Sequence, residues 1–215
     1  MRIARGGLAW IVGVGLVTVA CVAASMVLQG LLRFGFLILT FLGIIGLVLL
    51  VVFFRDPERT IGSGIVAVAD GIITGISPVD DPDVGSCIWV KTFLNIHNVH
   101  VNRSPVDGTV VRLEHTNGSH LPAFSKDSDR NERVTLLFDS SVGRVKVMQI
   151  AGTVARRIIP YIKEGDRVKK GDRIGLIRLG SRVVVYLPMA AVSTLAVKLR
   201  DKVKAGEDTL ADIHA

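Results

Sequence analysis

The chain has 215 residues, a formal net charge of +7 and a mean hydropathy of +0.48, and 21% of its residues are charged. Residues 1–54 contain three arginines but no lysine and no carboxylate, whereas residues 55–215 hold all 19 acidic residues. This division predicts an apolar N-terminal segment joined to one ordinary soluble domain, and it excludes a disordered chain, a collagen-like repeat and a many-helix transporter.

The N-terminal segment contains two uncharged stretches, residues 8–28 and 34–54, of 21 residues each. As a helix each stretch would be about 30 Å long, which is the thickness of the hydrocarbon core of a bilayer. Residues 29–33 between them are enough for a tight turn. We therefore predict a transmembrane hairpin over residues 1–54. A cleaved signal peptide is the alternative, but no Ala-x-Ala-like site precedes the second stretch.

Basic residues flank the predicted hairpin. Arg2 and Arg5 precede the first span, Arg55 and Arg59 follow the second, and Arg33 lies in the turn. The positive-inside rule places both ends in the cytoplasm. We therefore expect residues 55–215 to lie on the cytoplasmic face of the cell membrane, where anionic headgroups attract lysine and arginine.

The rest of the chain consists of short β-branched runs separated by glycine, proline and aspartate. These runs are predicted as strands at 65–69, 72–76, 87–90, 109–113, 134–138, 144–149, 173–177 and 182–187. Residues 151–159 are the best candidate for a short helix. Strands at this spacing are typical of an all-β sandwich or barrel.

Two internal repeats refine the fold prediction. Residues 166–172 (Asp-Arg-Val-Lys-Lys-Gly-Asp) recur as residues 201–207 (Asp-Lys-Val-Lys-Ala-Gly-Glu), and Ala-Asp-Gly at 69–71 resembles Val-Asp-Gly at 106–108. Each repeat predicts a turn followed by an apolar strand. Such turns occur in the barrel-sandwich domains of lipoyl and biotinyl carriers. We predict a mainly β, barrel-sandwich-like domain after the hairpin.

The two cysteines, Cys21 and Cys87, lie in different halves of the chain. No disulfide framework is predicted, and neither spacing nor neighbours indicate a metal site.

Four elements carry groups that could do chemistry. They are Asp70, the histidine pair His97 and His100, the triplet Asn-Glu-Arg at 131–133, and Gly-Ser at 180–181. Taken alone each has an ordinary explanation, because Asp-Gly and Gly-Ser are usual in turns and loops. Two histidines three residues apart on a regular strand would also point to opposite faces.

Together these elements resemble the phosphatidylserine decarboxylase proenzymes, especially the short subclass that includes the archaetidylserine decarboxylases. The matching segments are 54–57 (Phe-Arg-Asp-Pro), 69–71, 99–105 (Val-His-Val-Asn-Arg-Ser-Pro), 131–133, 149–152 (Gln-Ile-Ala-Gly), 155–158 (Ala-Arg-Arg-Ile) and 175–182 (Gly-Leu-Ile-Arg-Leu-Gly-Ser-Arg). Longer members have threonine where this chain has Arg182, which places it in the short subclass.

The resemblance implies that the chain makes its own cofactor. Ser181 Oγ attacks the carbonyl of Gly180, an ester forms, β-elimination frees the Gly180 carboxylate, and loss of ammonia leaves a pyruvoyl group at position 181. By the same resemblance His100 is the base for this cleavage and Asp70 fixes its tautomer, as in other Ser-His-Asp arrangements. The expected products are chains 1–180 and 181–215, which stay partners.

The resemblance also implies the reaction of the mature protein. The pyruvoyl ketone would bind the amine of a phospholipid serine headgroup and accept the electrons left when CO2 departs. His97 is a candidate proton donor, although many short members lack this histidine, and the chain must bend for both histidines to reach one pocket. Arg103, Arg156 and Arg157 are candidates for binding the phosphodiester.

Relatives further suggest a homodimer, and no nucleic-acid partner is expected. Ester and isoprenoid ether lipids remain equally open as substrates, because the chemistry involves only the headgroup.

A membrane-anchored barrel-sandwich adaptor or carrier without catalysis is the main alternative. A biotinyl or lipoyl carrier needs a lysine at the hairpin tip, and residues 178–182 contain none; an efflux adaptor needs a long helical hairpin, and residues 55–215 contain no heptad stretch. A serine hydrolase is disfavoured because Gly-x-Ser-x-Gly is absent.

Overall fold

The computed structural model describes residues 2–118, 131–152, 158–177 and 181–214. The chain divides into an N-terminal unit, residues 1–58, and a second unit, residues 59–215. The first unit contains two long helices, and the second consists of strands except for one short 3-10 turn in the part that is described. The prediction of a mainly β fold preceded by a helical hairpin is confirmed.

The N-terminal unit is built on helices α1 (Leu8–Val27) and α2 (Gly30–Phe53). Both are long and apolar enough to cross a bilayer. The helices approach closely where a Cβ added to Gly43 would lie only 2.4 Å from Oγ1 of Thr18. A small residue is therefore needed at this contact, as is usual between apolar helices.

The turn of the hairpin is shorter than predicted. Helix α2 begins at Gly30 rather than at residue 34, so only Leu28 and Gln29 separate the helices, and Arg33 lies in the first turn of α2. The prediction of a five-residue turn was wrong because a single arginine does not end a helix, and the neighbouring leucines favour one. Strands β1 (Arg2–Ile3) and β2 (Arg55–Asp56) pair at the open end of the hairpin.

Among its described residues, the second unit contains one sheet of eight strands and two of three, and all paired neighbours are antiparallel. The large sheet has the order β11 (Arg167–Val168), β7 (Gly108–Thr116), β8 (Arg133–Ser140), β9 (Gly143–Ile150), β13 (Ser181–Pro188), β5 (Gly85–Leu94), β4 (Gly71–Asp81), β15 (Lys202–Val203). The small sheets are β10 (Ile158–Pro160), β12 (Arg173–Ile177), β6 (Val101–Arg103), and β14 (Val192–Leu195), β16 (Thr209–Ile213), β3 (Ile65–Val66).

The core lies on one face of the large sheet. Val183, Val185 and Leu187 alternate along β13 and are almost fully buried there, together with Val145 and Val147 of β9. Successive side chains of a strand point to opposite faces, and Val184 between them is also buried, so both faces of β13 are covered and the alternation sets which side chains enter this core. It fixes the register of β13, because a shift by one residue would turn these side chains to the other face.

Four turns of one kind connect the sheets, at residues 163–166, 169–172, 198–201 and 204–207. Each begins with a lysine whose backbone N–H donates to an aspartate Oδ2 three or four residues later, at 2.7–2.9 Å. The third residue of each has a positive φ and donates its N–H to a backbone carbonyl in a strand or just after one. The sequence repeat at 166–172 and 201–207 therefore reflects a real structural repeat, which extends three residues further towards the N-terminus.

The helix predicted at 151–159 is not supported where it can be checked. Ile158 and Ile159 belong to β10 and pair with β12, while residues 153–157 lie outside the described residues. Two isoleucines before a proline favour a strand as much as a helix, and here pairing with β12 decides.

Candidate active site

Ser181 is the first residue of β13, which lies between β5 and β9 in the middle of the large sheet. It pairs with Leu94 of β5 and has no solvent exposure. Its Oγ has no hydrogen-bond partner among the described residues. A buried hydroxyl without a partner is costly, so such a group is a candidate for chemistry. Gly180 lies outside the described residues.

His100 is fully buried just before β6. Its Nδ1 lies 2.8 Å from the carbonyl oxygen of Asn98. With Nδ1–H donating to that carbonyl, Nε2 is the nitrogen left to accept a proton. The backbone carbonyl of His100 accepts the N–H of Ile177 at 3.2 Å, which ties His100 to the last residue of β12.

Asp70 is buried, but its partners differ from those predicted. Its Oδ1 and Oδ2 accept hydrogen bonds from Nη2 of Arg59 at 3.0 and 2.8 Å, and Oδ1 also accepts the backbone N–H of Ala205 at 2.8 Å. Within the described ranges no hydrogen bond joins Asp70 to His100, and Nδ1 of His100 is held by the Asn98 carbonyl instead. The structure therefore does not bring Asp70 and His100 together as a directly bonded pair.

Arg59 is a site residue that sequence reasoning missed. Its side chain is 8% exposed and bridges Asp70 and Glu207 through Nη2 and Nη1. In the sequence it served only as a flanking charge of the hairpin. The available signal was its place two residues after the matching segment 54–57, and the structure shows why it matters, since an arginine buried to this extent needs carboxylate partners.

His97 and His100 lie in different surroundings. Strand β5 ends at Leu94, and a turn follows in which the N–H of Asn98 donates to the carbonyl of Asn95. His97 is exposed in this turn, whereas His100 is buried beyond it. The chain bends already before His97, so the alternation of a regular strand does not keep the two histidines on opposite faces.

A buried amide pair links two sheets near Ser181. Nε2 of Gln149 donates to Oδ1 of Asn102 at 2.7 Å, and both residues are fully buried. Gln149 pairs with Val183, two residues beyond Ser181, and Asn102 pairs with Gly175 of β12. Nδ2 of Asn102 and Oε1 of Gln149 have no partner among the described residues. The interior therefore contains one hydrogen-bond donor and one acceptor that are not used by these residues.

The predicted arginines have different positions. Arg103 is 5% exposed and its Nη1 donates to the carbonyl oxygen of Gly171 at 2.8 Å. That contact holds one of the four repeated turns, which is a structural role. Arg156 and Arg157 lie outside the described residues.

The Asn-Glu-Arg triplet supports the neighbouring chain. Nδ2 of Asn131 donates to the carbonyl of Ala151, and Oε1 of Glu132 contacts Nε2 of His115 at 2.8 Å. Both contacts hold backbone or strand neighbours in place, and neither residue pairs with Ser181.

Comparison with known proteins gives consistent results. The sequence profile of the family described as phosphatidylserine decarboxylase matches residues 47–211. A phosphatidylserine decarboxylase proenzyme from Thermobifida fusca is 50% identical over 74% of this chain and 70% of its own length.

Archaeal relatives match over almost the whole chain. A protein of Methanococcoides burtonii, provisionally named an archaetidylserine decarboxylase proenzyme, is 40% identical over 97% of this chain and 95% of its own length. A counterpart with the same name from Methanosarcina mazei is 38% identical over 98% and 97%.

Proposed function

The chain belongs to the phosphatidylserine decarboxylase family, and we propose that it is a proenzyme that cuts itself before Ser181 and then removes CO2 from the serine headgroup of a membrane phospholipid. The observation that carries this proposal is the environment of Ser181. A fully buried serine whose Oγ has no partner in the described ranges starts a central strand. The strand paired with it leads into the turn that holds His100.

Self-cleavage assigns a role to each of these groups. Nε2 of His100 takes the proton of Ser181 Oγ, which then attacks the carbonyl carbon of Gly180 and displaces the backbone nitrogen of Ser181. Loss of the Ser181 α-proton then expels the ester oxygen, which yields the Gly180 carboxylate and a dehydroalanine. Water adds to the imine form of the dehydroalanine, and the nitrogen leaves as ammonia. Burial favours these reaction steps, because it keeps competing water away from the ester.

The environment of position 181 fits a pyruvoyl group, because its methyl and ketone need no more space than the serine that they replace, and the Asn102 amide, bound to Gln149 opposite Val183, has a donor without a partner among the described residues. When formed, the pyruvoyl group supplies the electron sink for decarboxylation. His97, exposed in the turn after β5, is suited to deliver the proton that replaces CO2. Arg156 and Arg157 remain candidates for the phosphodiester.

Asp70 acts through position rather than by direct contact with His100. It anchors residues 68–71, and the carbonyl of Val68 accepts the N–H of Arg103 at 2.8 Å in β6, the strand that follows His100. Arg59 and Ala205 hold Asp70 from the two sides. We infer that Asp70 keeps His100 in place for cleavage by fixing this strand.

The substrate class follows from the relatives, whose names include both phosphatidylserine and archaetidylserine decarboxylases. The serine headgroup is common to both lipids. The proposal therefore covers decarboxylation of this headgroup on either an ester or an ether lipid, by a two-chain protein that forms a homodimer.

The direct test is the mass of the purified full-length protein. Wild type should appear as chains 1–180 and 181–215, with the smaller chain carrying a pyruvoyl terminus, and Ser181→Ala should remain one chain. Ser104→Ala is the matched control, because Ser104 is an equally buried serine whose Oγ already donates to the carbonyl of Val106. A wild type that stays intact refutes the proposal.

The proposed membrane arrangement has its own test. We propose that α1 and α2 span the bilayer and that residues 55–215 lie in the cytoplasm. Protease added outside intact cells should leave the β-rich unit uncut, and protease added to inverted vesicles should digest it. Digestion from outside would reverse the topology.

The role of His97 is tested by His97→Ala. The variant should still split into two chains, because His100 and Ser181 are unchanged. Its decarboxylation should fall by about 10²–10⁴-fold, which is the usual contribution of a general acid. Normal turnover by the fully split variant would remove His97 from the mechanism.

A further inference from the structure

One of the four repeated turns departs from the others. Three have glycine at the third position, with φ of 86° at Gly165, 85° at Gly171 and 75° at Gly206. The fourth has Arg200 with φ 74°, and it is the only residue other than glycine with a positive φ among those described. This conformation is unfavourable for a side chain. Such an outlier is a reason to look for a function.

The side chains of this turn are directed to solvent. Leu199 is 59% exposed, and Lys198, Arg200 and Lys202 around it are also exposed. The carboxylate of Asp201 already accepts the backbone N–H of Lys198. The turn therefore presents one apolar tip surrounded by three cations.

Strand register places this turn on the same side of the molecule as Ser181. Lys202 pairs with Ile72, Ile72 with Phe93, and Phe93 with Arg182. At about 4.8 Å per strand, the turn lies about 15 Å from the start of β13 along the sheet.

A second exposed apolar residue lies at this end of the sheet. Ile96 is 65% exposed, next to His97 in the turn after β5. We call the residues of the two turns the Ser181 edge; its members are Ile96, His97, Lys198, Leu199, Arg200 and Lys202.

The opposite end of the sheet combines cations with acidic residues. Strand β4 runs 11 residues from the Ser181 edge to Asp81, which is about 35 Å. Its tip carries Asp80, Asp81 and Asp83, facing the two cations Lys146 and Arg112. The tip of β4 is therefore balanced or acidic, and turn 163–166, which also has nearby cations, carries Glu164 where the Ser181 edge carries Leu199, so that turn lacks the apolar tip.

We propose that the Ser181 edge docks on an anionic bilayer surface. Lys198, Arg200 and Lys202 would bind headgroup phosphates, while Leu199 and Ile96 enter the boundary between headgroups and acyl chains. The left-handed Arg200 is explained by this role, since glycine would present no cation there. The inference rests on the proposed function, because it brings a lipid headgroup to the edge that holds Ser181 and His97.

The test uses the full chain in nanodiscs of phosphatidylcholine, with and without phosphatidylglycerol. An environment-sensitive dye is attached to Leu199→Cys and, in a separate protein, to Glu164→Cys. Glu164 holds the same place in turn 163–166, which binds the carbonyl of Val110 at the far end of the sheet. Cys21 and Cys87 are buried, and burial raises the pKa of the Cys87 thiol, so background labelling is low.

The dye at 199 should shift to shorter wavelength and be quenched by nitroxide lipids, more strongly when phosphatidylglycerol is present. The dye at 164 should respond to neither. Equal behaviour at the two positions would overturn the proposal. A shift at 199 that follows protein concentration and ignores lipid charge would indicate a second copy of the chain and would also overturn it.

A charge series provides the second measurement. Lys198→Ser with Lys202→Ser should lower the ratio of decarboxylation on bilayers to that on detergent-dispersed short-chain phosphatidylserine, by about fivefold for each charge removed. Lys163→Ser with Arg167→Ser is the matched control at the far end. An unchanged ratio in the first variant overturns the proposal. Failure of wild type to split on a gel would instead refute the pyruvoyl function, while the dye measurement still decides docking.

Discussion

The β-rich unit contains two equivalent aspartates in different surroundings. Asp70 and Asp107 each precede a strand and each accept, at 2.8 Å, the N–H of the second residue of a repeated turn, which is Ala205 or Lys170. Asp107 is exposed, whereas Asp70 is buried and also paired with Arg59. The contact with a repeated turn is therefore common to both aspartates and is part of the fold. The buried ion pair with Arg59 is found only at the aspartate on the side of His100.

The strongest test of this comparison is Asp70→Asn beside Asp107→Asn. Loss of the Asp70 charge leaves Arg59 buried without its main partner, which should lower the free energy of unfolding by about 3–5 kcal/mol. Self-cleavage should slow at least about 100-fold, since a misplaced catalytic base costs this much or more. Asp107→Asn should change unfolding by less than about 1 kcal/mol and leave cleavage intact. Equal changes in unfolding free energy and in self-cleavage for the two variants would show that the two aspartates do not have different roles.

A double-mutant cycle separates structural loss from loss of position. Arg59→Met alone leaves the Asp70 carboxylate buried and should destabilise the protein by several kcal/mol, about as much as Asp70→Asn. The double variant should recover much of this free energy, because neither buried charge remains. Cleavage should stay slow, since residues 68–71 have lost their anchor. Recovery of cleavage together with stability would make the pair purely structural.

The repeated turns offer a smaller and opposite pair of effects. Arg200→Gly should raise the free energy of unfolding by about 1 kcal/mol, because glycine adopts positive φ without strain. Gly165→Ala should lower it by about 1 kcal/mol through backbone strain alone, since no atom lies within 4 Å of the added Cβ. Denaturant titration measures both. A destabilised Arg200→Gly would mean that the arginine side chain stabilises the folded turn.

The smallest predicted effect is on the stability of the fold at acidic pH. Lys204, and then Arg59, lower the pKa of Glu207 below its ordinary value of 4.5. A carboxylate with a lowered pKa stabilises the fold above the unfolded pKa, and this stabilisation is lost as pH falls through the folded pKa. The half-exposed position limits it to less than about 1 kcal/mol. Glu207→Gln should therefore show a weaker loss of stability below about pH 4.5, and an unchanged acid profile would contradict the pairing.

Local patterns predicted most of the fold. Strand 173–177 was predicted with its observed bounds, and the other predicted strands overlap observed ones, because alternating β-branched runs carry their own signal. Short strands such as β6 and β15 were missed, since two or three residues form a strand only through their partner. The start of α2 was predicted too late, because the charged residue Arg33 was interpreted as part of the turn between the helices.

The contacts of the site were less accessible to sequence reasoning. The Arg59–Glu207 contact joins residues 148 positions apart, and no local pattern indicates such a pair. The expected link between Asp70 and His100 came from resemblance alone, and the fold provides the Asn98 carbonyl in its place. The place of Ser181 at the start of a strand was nearly predicted, because the apolar run beginning at residue 182 was visible in the sequence.

Strand β13 lies in the middle of the large sheet, with β5 on one side and β9 on the other. Cleavage before Ser181 would leave this strand as a separate peptide that still fills the centre of the sheet, while β16 of the same peptide pairs with β3. Such a molecule cannot refold as readily as the continuous chain folds. It can be assembled only while the chain is continuous, and once denatured it must find a detached central strand at bimolecular cost. Unfolding of the cut protein should therefore show hysteresis that the uncut Ser181→Ala chain lacks.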